Sequence, residues 1–388
     1  MPRGEPLFMS VYGINGLVIN ESHATPDGRD VETFSKEENS WTYTSISVQL
    51  ASAINIGIKM LETPEGKRCL VQLGRAVIQQ WVRSKTHRFG GNPNHMAAYV
   101  DHFLSALRQG FPQVTVIHLG GPNILACTRR MTPRPGFTWD GNLHAYRPNK
   151  AVGLYFNMSR VADMVGAASV MWQKSTTAAP SADKRQAREI LAQMTQKYKE
   201  FQFMFASATT HELCHAFVGY LAQNSQEGSS YTPPNVNHLD YGSGQVDSSF
   251  VQKGESGRYM EKLLFGGALE FYRDPREGHN QVGILHILDQ NAVAFRVDPK
   301  FMSSMVESSS NFRFPFPKVG SGISEKDRVR QGVQSLGSTK SGGPLPCGLM
   351  YMRSRQVGPV LKYNITQEEL SKIPVNPRPL RAQRVATM

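Results

Sequence analysis

The residues with the clearest chemical potential in this sequence are two histidines, His211 and His215, with Glu212 directly after the first. On a helix, residues four apart lie on one face, so both imidazoles can bind the same divalent metal ion. Glu212 is turned by about 100° around the helix axis, so its carboxylate can reach a water at the metal without binding the ion. The pattern His-Glu-x-x-His therefore predicts a zinc site in which Glu212 moves a proton.

The same segment has an alternative interpretation as the start of a helix. Thr209 as N-cap and Glu212 three residues later would form a capping box, and the two histidines would then be ordinary polar residues. A helical pattern that already begins in the stretch Phe201 to Ala208 favours the metal interpretation. We therefore expect a helix that passes through the histidine pair.

A catalytic zinc ion takes three protein ligands, so a third ligand must come from downstream. Glu255 is the first choice because it opens a predicted helix 40 residues after His215. Its alternative role is that of a carboxylate favoured by the helix dipole. Glu261 would point about 240° away from Glu255, so only one of these two can face the metal. The remaining candidates are Glu270, His238 and Asp240.

The stretch from Ala151 to Tyr272 resembles the zincin metallopeptidases, and within them the gluzincins, the group that includes thermolysin and the zinc aminopeptidases. In gluzincins the His-Glu-x-x-His helix is followed, tens of residues later, by an Asn-Glu dipeptide that opens a second helix. Here the dipeptide is Gly254-Glu255, so glycine replaces the asparagine. The resemblance implies an α+β fold with a zincin-like core, which contains a mixed sheet with an edge strand, an active-site helix and a glutamate helix. N- and C-terminal elaborations would surround this core.

The resemblance also implies an activity, the hydrolysis of peptide bonds with bound Zn²⁺ as cofactor and a peptide or protein as substrate. The zinc ligands would be His211, His215 and Glu255, and the general base of the reaction would be Glu212. A tyrosine often holds the oxyanion in such sites. A histidine can take the same role, and the candidates, chosen by their region alone, are Tyr241, Tyr259 and His238. The predicted strand Ala151 to Met158 is the candidate edge strand for an extended substrate.

Other functions stay open at this point. With His238 as third ligand the chain would resemble the SprT-like proteases that act at DNA, although Leu239 stands where that family has glycine. Asp240 faintly resembles the ligand of the aspartate-type fungal zinc proteases. The metzincin pattern fails, because Val218 and Leu221 occupy its required glycine and histidine positions. A specialised zincin-fold enzyme for one small peptide or metabolite, a structural metal site or a basic binding module are further alternatives.

Composition limits the partners. The net charge of +12 comes from scattered basic residues, with one dense stretch at Arg378 to Arg384, so nucleic acid is not the expected partner. No apolar run of about 18 residues is present, so no membrane-spanning helix is expected. The four cysteines lie far apart and form no Cys-x-x-Cys pair, which favours a reducing compartment. Without a convincing signal peptide, we expect a cytoplasmic location, with secretion as the alternative.

Patterning divides the chain into three predicted regions. Residues 1–145 form an N-terminal α+β region, residues 146–300 the zincin-like core, and residues 301–388 a loop-rich C-terminal region with a basic tail. Strands are predicted at Val114 to Leu119, Val282 to Leu288 and Ala292 to Val297. A long helix is predicted to follow Pro180 and to lead nearly straight into the metal helix, and another is predicted from about Arg258 to Tyr272.

Overall fold

A computed structural model places much of the chain, in thirteen stretches. The described residues are 13–17, 19–21, 23–24, 30–31, 40–86, 89–119, 124–131, 138–176, 184–223, 232–239, 254–278, 280–307 and 312–338. The predicted catalytic residue Tyr241, the candidate ligand Asp240 and the basic tail lie outside the described residues.

The described residues form an α+β structure, as predicted. Its helices are α1 (Ser40–Glu62), α2 (Pro64–Arg83), α3 (Met96–Gln109), α4 (Pro148–Ala151), α5 (Met158–Thr176), α6 (Lys184–Leu221), α7 (Ser256–Phe265), α8 (Pro299–Glu307) and α9 (Glu325–Arg330). Its strands are β1 (Ile19–Glu21), β2 (His23–Ala24), β3 (Asp30–Val31), β4 (Gln113–Ile117), β5 (Ala126–Arg130), β6 (Val152–Asn157), β7 (Ala268–Tyr272), β8 (Ile284–Leu288), β9 (Ala294–Val297), β10 (Lys318–Ile323) and β11 (Ser335–Ser338).

Helix α6 is the element against which most others pack. It contacts α1, α5, α7, α8 and β5, and its second half is almost entirely buried. A Cβ atom on Gly57 of α1 would lie 2.6 Å from the carbonyl oxygen of Ala206, so a glycine is needed for α1 to pack this closely. The long helix predicted after Pro180 and the predicted metal helix are both present, and they form the single helix α6. The capping-box alternative is wrong, because Thr209 lies within this helix and its hydroxyl donates to the carbonyl of Phe205.

The first sheet is mixed and has the strand order β1-β4-β6-β5. Strands β1, β4 and β6 are parallel, while β5 is antiparallel to β6. Every residue of β6 is buried, which suits a strand with neighbours on both sides. The prediction that the Ala151 to Met158 segment is the edge strand is therefore wrong. In the described part of this sheet, the edge beside α6 is β5, and only the pairing order could reveal this.

The second sheet is antiparallel, with the order β10-β9-β8-β7-β11. The predicted helix from Arg258 to Tyr272 is too long, because α7 ends at Phe265 and the chain continues as β7. Gly266 and Gly267 cause this change: both have positive φ angles, of 87° and 158°, and Gly266 closes the helix in the left-handed conformation. The predicted strands near β4, β8 and β9 are confirmed.

One connected hydrophobic core joins residues from Ile14 to Phe316, and α6 runs through it. Leu213, Phe217 and Leu221, on the side of α6 opposite the histidines, are buried in this core as the helical pattern predicts. Among the described helices, none combines the length and the apolar character needed to cross a membrane. The core therefore holds α6 as a rigid support for its polar residues.

Candidate metal centre

The two histidine side chains of α6 meet at one point. The Nε2 atoms of His211 and His215 are 3.3 Å apart. His211 is fully buried, whereas the side chain of His215 is 23% exposed. The predicted convergence of the two rings is thus present, and the centre is more open on the side of His215.

Glu255 joins the two rings from the start of α7. Its Oε1 lies 2.5 Å from Nε2 of His215, and its Oε2 lies 3.4 Å from Nε2 of His211. Ligand atoms of all three side chains lie within 4.8 Å of one another. Glu255 is also the N-cap of α7, since its Oε2 accepts a hydrogen bond of 2.6 Å from the amide of Arg258. The two roles weighed for this residue are therefore compatible, and the capping bond orients the carboxylate toward the histidines.

The donor set fits a divalent metal ion. Two nitrogens that bind one tetrahedral zinc ion at about 2.05 Å are about 3.3 Å apart, which matches the separation of the two Nε2 atoms. Oε1 of Glu255 is buried and has no hydrogen bond of acceptable geometry, although His215 is close. Two imidazoles and one carboxylate are a known ligand set of catalytic zinc. The residues present are therefore suited to hold this ion.

Glu261 supports the His211 ring from its other edge. Its Oε1 is 2.8 Å from Nδ1 of His211, while its Oε2 accepts hydrogen bonds from Arg258 and from the amide of Leu269. The expectation that only one of Glu255 and Glu261 can face the metal agrees with this arrangement. Both nevertheless contact His211, because an imidazole has nitrogens on two edges. A carboxylate in this position fixes the orientation of a ligating histidine.

The two residues after Glu255, Ser256 and Gly257, also contact the histidine rings. Oγ of Ser256 is 2.8 Å from Nδ1 of His215. A Cβ atom on Gly257 would lie 2.3 Å from Nε2 of His211, so the ring lies directly against the backbone there. Three consecutive residues at the start of α7 thus contact the histidine pair.

The buried charges around the centre favour a dication. From the N-cap of α7 to β7, the buried acids Glu255, Glu261 and Glu270 face one buried cation, Arg258, which bonds to the last two, so this segment carries two more negative charges than positive ones. On α6, the buried Glu212 is a further carboxyl group next to His211. Burial lowers the pKa of His211, but the charges of Glu255 and Glu261 outweigh burial and raise it to about 10. Burial conversely raises the pKa of Glu255, yet the two histidines bring it well below its usual value. A divalent ion or two ring protons can supply the missing charge.

Glu212 lies on α6, where this helix contacts the edge strand β5. The residue is buried, and its backbone carbonyl accepts a hydrogen bond of 2.9 Å from the hydroxyl of Thr128 on β5. Burial raises the pKa of Cys127 on the same strand to about 12, and the negative charge of Glu212 adds to this shift. The negative charge of Glu212 also contributes to raising the pKa of His215, after the larger effects of burial, which lowers it, and of Glu255, which raises it, so this carboxylate acts on both the metal centre and the strand edge.

The other candidate residues lie away from this cluster. His238 is engaged elsewhere, because its Nε2 donates to the carbonyl of Leu288 over 2.9 Å, so the geometry does not favour it as third ligand. Glu270, which the sequence placed in the predicted helix from Arg258 to Tyr272, is buried on β7 and bonded to Arg258. Tyr259 lies on α7 with its side chain half-buried against the core, and its role stays a prediction.

Sequence reasoning missed several contributors. Arg258, Ser256 and Gly257 were not singled out, although all three directly follow the predicted third ligand. A run of small residues and an arginine behind a candidate ligand is the available signal, but many loops share it. Thr128 carries no local signal, since only the tertiary structure brings β5 to α6.

No family model matches the chain, and no solved structure matches it either. The geometry of the described residues is therefore what points to a function.

Proposed function

We propose that this protein is a zinc-dependent hydrolase that cleaves peptide bonds, with a zincin-like core. The observation that carries the proposal is the convergence of His211, His215 and Glu255 from two separate elements. Glu212, on the same turn of α6 as the first ligand, is the proposed general base.

The three ligands would hold the ion on the side of α6 that faces α7. A zinc ion at such a site supplies Lewis-acid chemistry, which acidifies water and polarises a carbonyl oxygen. Glu212 would take the proton from the attacking water and pass it to the leaving amine. Its burial suits this role, because a carboxylate shielded from bulk solvent keeps the proton near the reacting atoms.

Strand β5 is the proposed binding site for the substrate backbone. It lies at the edge of the described sheet and beside α6, so the backbone groups on its outer side can pair with an extended peptide. The hydrogen bond from Thr128 to the Glu212 carbonyl ties this strand to the turn that carries the general base. A peptide paired to β5 would thus run past Glu212.

The decisive experiment is Glu212→Gln in the purified, zinc-loaded chain. We expect unchanged zinc content, measured by elemental analysis, and a fall in peptide hydrolysis of about 10²- to 10⁴-fold, because the proton acceptor is lost. Glu189→Gln is the matched control, since Glu189 is an exposed residue of the same helix. A Glu212→Gln variant as active as the parent would overturn the proposal.

The assay should compare peptides of increasing length with small-molecule amides. Activity confined to the small amides or to one short peptide would favour the specialised zincin-fold enzyme. A parent protein that binds no zinc would exclude the metal-dependent hydrolase.

A further inference from the structure

The two ligand histidines have different hydrogen-bond partners at Nδ1. The Nδ1 atom of His211 is hydrogen-bonded to the carboxylate of Glu261, which also accepts a hydrogen bond from Arg258. His215 has the neutral hydroxyl of Ser256, at 2.8 Å. Ser256 is fully buried and is the first residue of α7, directly after Glu255.

The hydroxyl of Ser256 is not needed to start the helix. The capping role belongs to Glu255, whose carboxylate accepts from the amide of Arg258. Serine is a common N-cap residue, but Ser256 is the residue after the cap, and its oxygen is directed to a ring nitrogen. The contact with His215 is therefore the function that the structure assigns to this hydroxyl.

The contact constrains the state of the His215 ring. For Nε2 to offer its lone pair to a metal, Nδ1 must carry the hydrogen. That Nδ1–H then donates to Oγ of Ser256, which fixes both the tautomer and the angle of the ring. Without the hydroxyl, the ring of His215 could rotate or change tautomer, because its side chain is partly exposed.

We propose that Ser256 is a positioning residue that holds His215 with Nε2 directed at the ligand cluster and thereby sets the affinity for the metal. The metal part of this inference rests on the proposed function, whereas the state of the ring does not. The first turn of α7 would then provide one ligand, through Glu255, and the orientation of another.

The test is Ser256→Ala, which removes only the hydroxyl. Zinc affinity is measured by competition with a chelator, and we expect a loss of about tenfold, the lower end of the range for outer-shell partners. The tautomer and the hydrogen bonding of the His215 ring are followed by ¹⁵N NMR, where we expect its Nδ1–H to exchange faster with solvent.

Two controls accompany these measurements. The Nδ1 signal of His102, which contacts the Tyr220 hydroxyl, is the internal reference for the NMR experiment. Ser303→Ala is the matched control, because Ser303 is also buried but bonds to Gln196 in the first half of α6, far along the helix from the histidine pair.

The outcomes separate the two proposals. Tenfold weaker zinc binding in Ser256→Ala alone, with faster exchange at His215 alone, supports the positioning role. Unchanged affinity, or an equal loss in Ser303→Ala, overturns it and leaves the hydrolase proposal standing. If the parent binds no zinc, the hydrolase proposal fails, and the exchange rate of His215 in the metal-free protein still decides the positioning role.

Discussion

Helix α6 and the first turn of α7 contribute to the same centre in opposite ways. Helix α6 spans 38 residues, is packed on several sides and presents its two histidines from a rigid support. Helix α7 spans ten residues, and its start places three groups against those rings: the carboxylate of Glu255, the hydroxyl of Ser256 and the backbone of Gly257. The comparison teaches that the ligand pair is a local feature, whereas the complete centre requires α7 to dock on α6.

The two regions also differ in charge. The histidine turn of α6 carries one buried acid, Glu212, whereas the segment from the N-cap of α7 to the strand after it carries three buried acids and Arg258. Either element alone would leave buried polar groups without partners. Packing of α7 against α6 thus provides hydrogen-bond partners for the buried polar groups of both elements. Three substitutions test how α6 depends on the elements packed against it.

The largest effect is expected for His211→Ala, which removes the shared partner of both regions. Zinc affinity should fall by more than the roughly 100-fold that loss of an outer-shell partner causes. The metal-free variant should also lose about 3–5 kcal/mol of unfolding free energy, because Glu255 and Glu261 stay buried without the ring. Urea unfolding and chelator competition measure the two effects.

The control for this change is His95→Ala, since His95 is exposed at the start of α3. Unfolding free energy and zinc affinity should both match the parent there. A His211→Ala variant with parental zinc affinity would show that His211 is not a zinc ligand.

A smaller effect is expected for Gly257→Ala, which disturbs only the contact between the two regions. The new Cβ would meet the His211 ring at 2.3 Å, so either the ring or α7 must move. We expect a loss of about 1–3 kcal/mol in unfolding free energy, as for other overpacked sites, together with weaker zinc binding.

Gly166→Ala is the matched control, because a Cβ there meets nothing within 4 Å and the residue lies within helix α5. It should leave zinc binding unchanged and should not destabilise the protein, since alanine favours a helix over glycine. Equal zinc affinity in Gly257→Ala and Gly166→Ala would contradict the close packing of the His211 ring against the backbone of Gly257.

The smallest effect is expected for Thr128→Val, which leaves the contact of α6 with α7 intact and loosens its contact with β5. Loss of the bond to the Glu212 carbonyl should reduce unfolding free energy by about 1 kcal/mol. Amide hydrogen exchange in β5 should become faster, while zinc affinity stays at the parental value. Thr195→Val is the control, because its hydroxyl bonds within α6, to Leu191. Slower or unchanged exchange in β5 would mean that this bond does not hold the edge strand.

Prediction from sequence succeeded where a pattern repeats within a few residues. The helical spacing around His211 and His215 predicted both the helix and its buried face, and Glu255 was selected because it precedes a helix. Prediction failed for β6 as an edge strand, since the order of strands depends on contacts between distant segments. It also extended α7 through β7, because an apolar run after two glycines fits a helix and a strand equally well.

Two imidazoles share one helix face with a carboxylate beside them, and this follows from the order of residues alone, because the geometry of an α-helix depends on local hydrogen bonds. Packing between distant segments selects the acid that meets those rings, the nitrogen that each partner contacts and the strand that lies beside Glu212. These choices depend on how buried charges and hydroxyls satisfy one another once the elements pack, and that balance has no signature within a single segment.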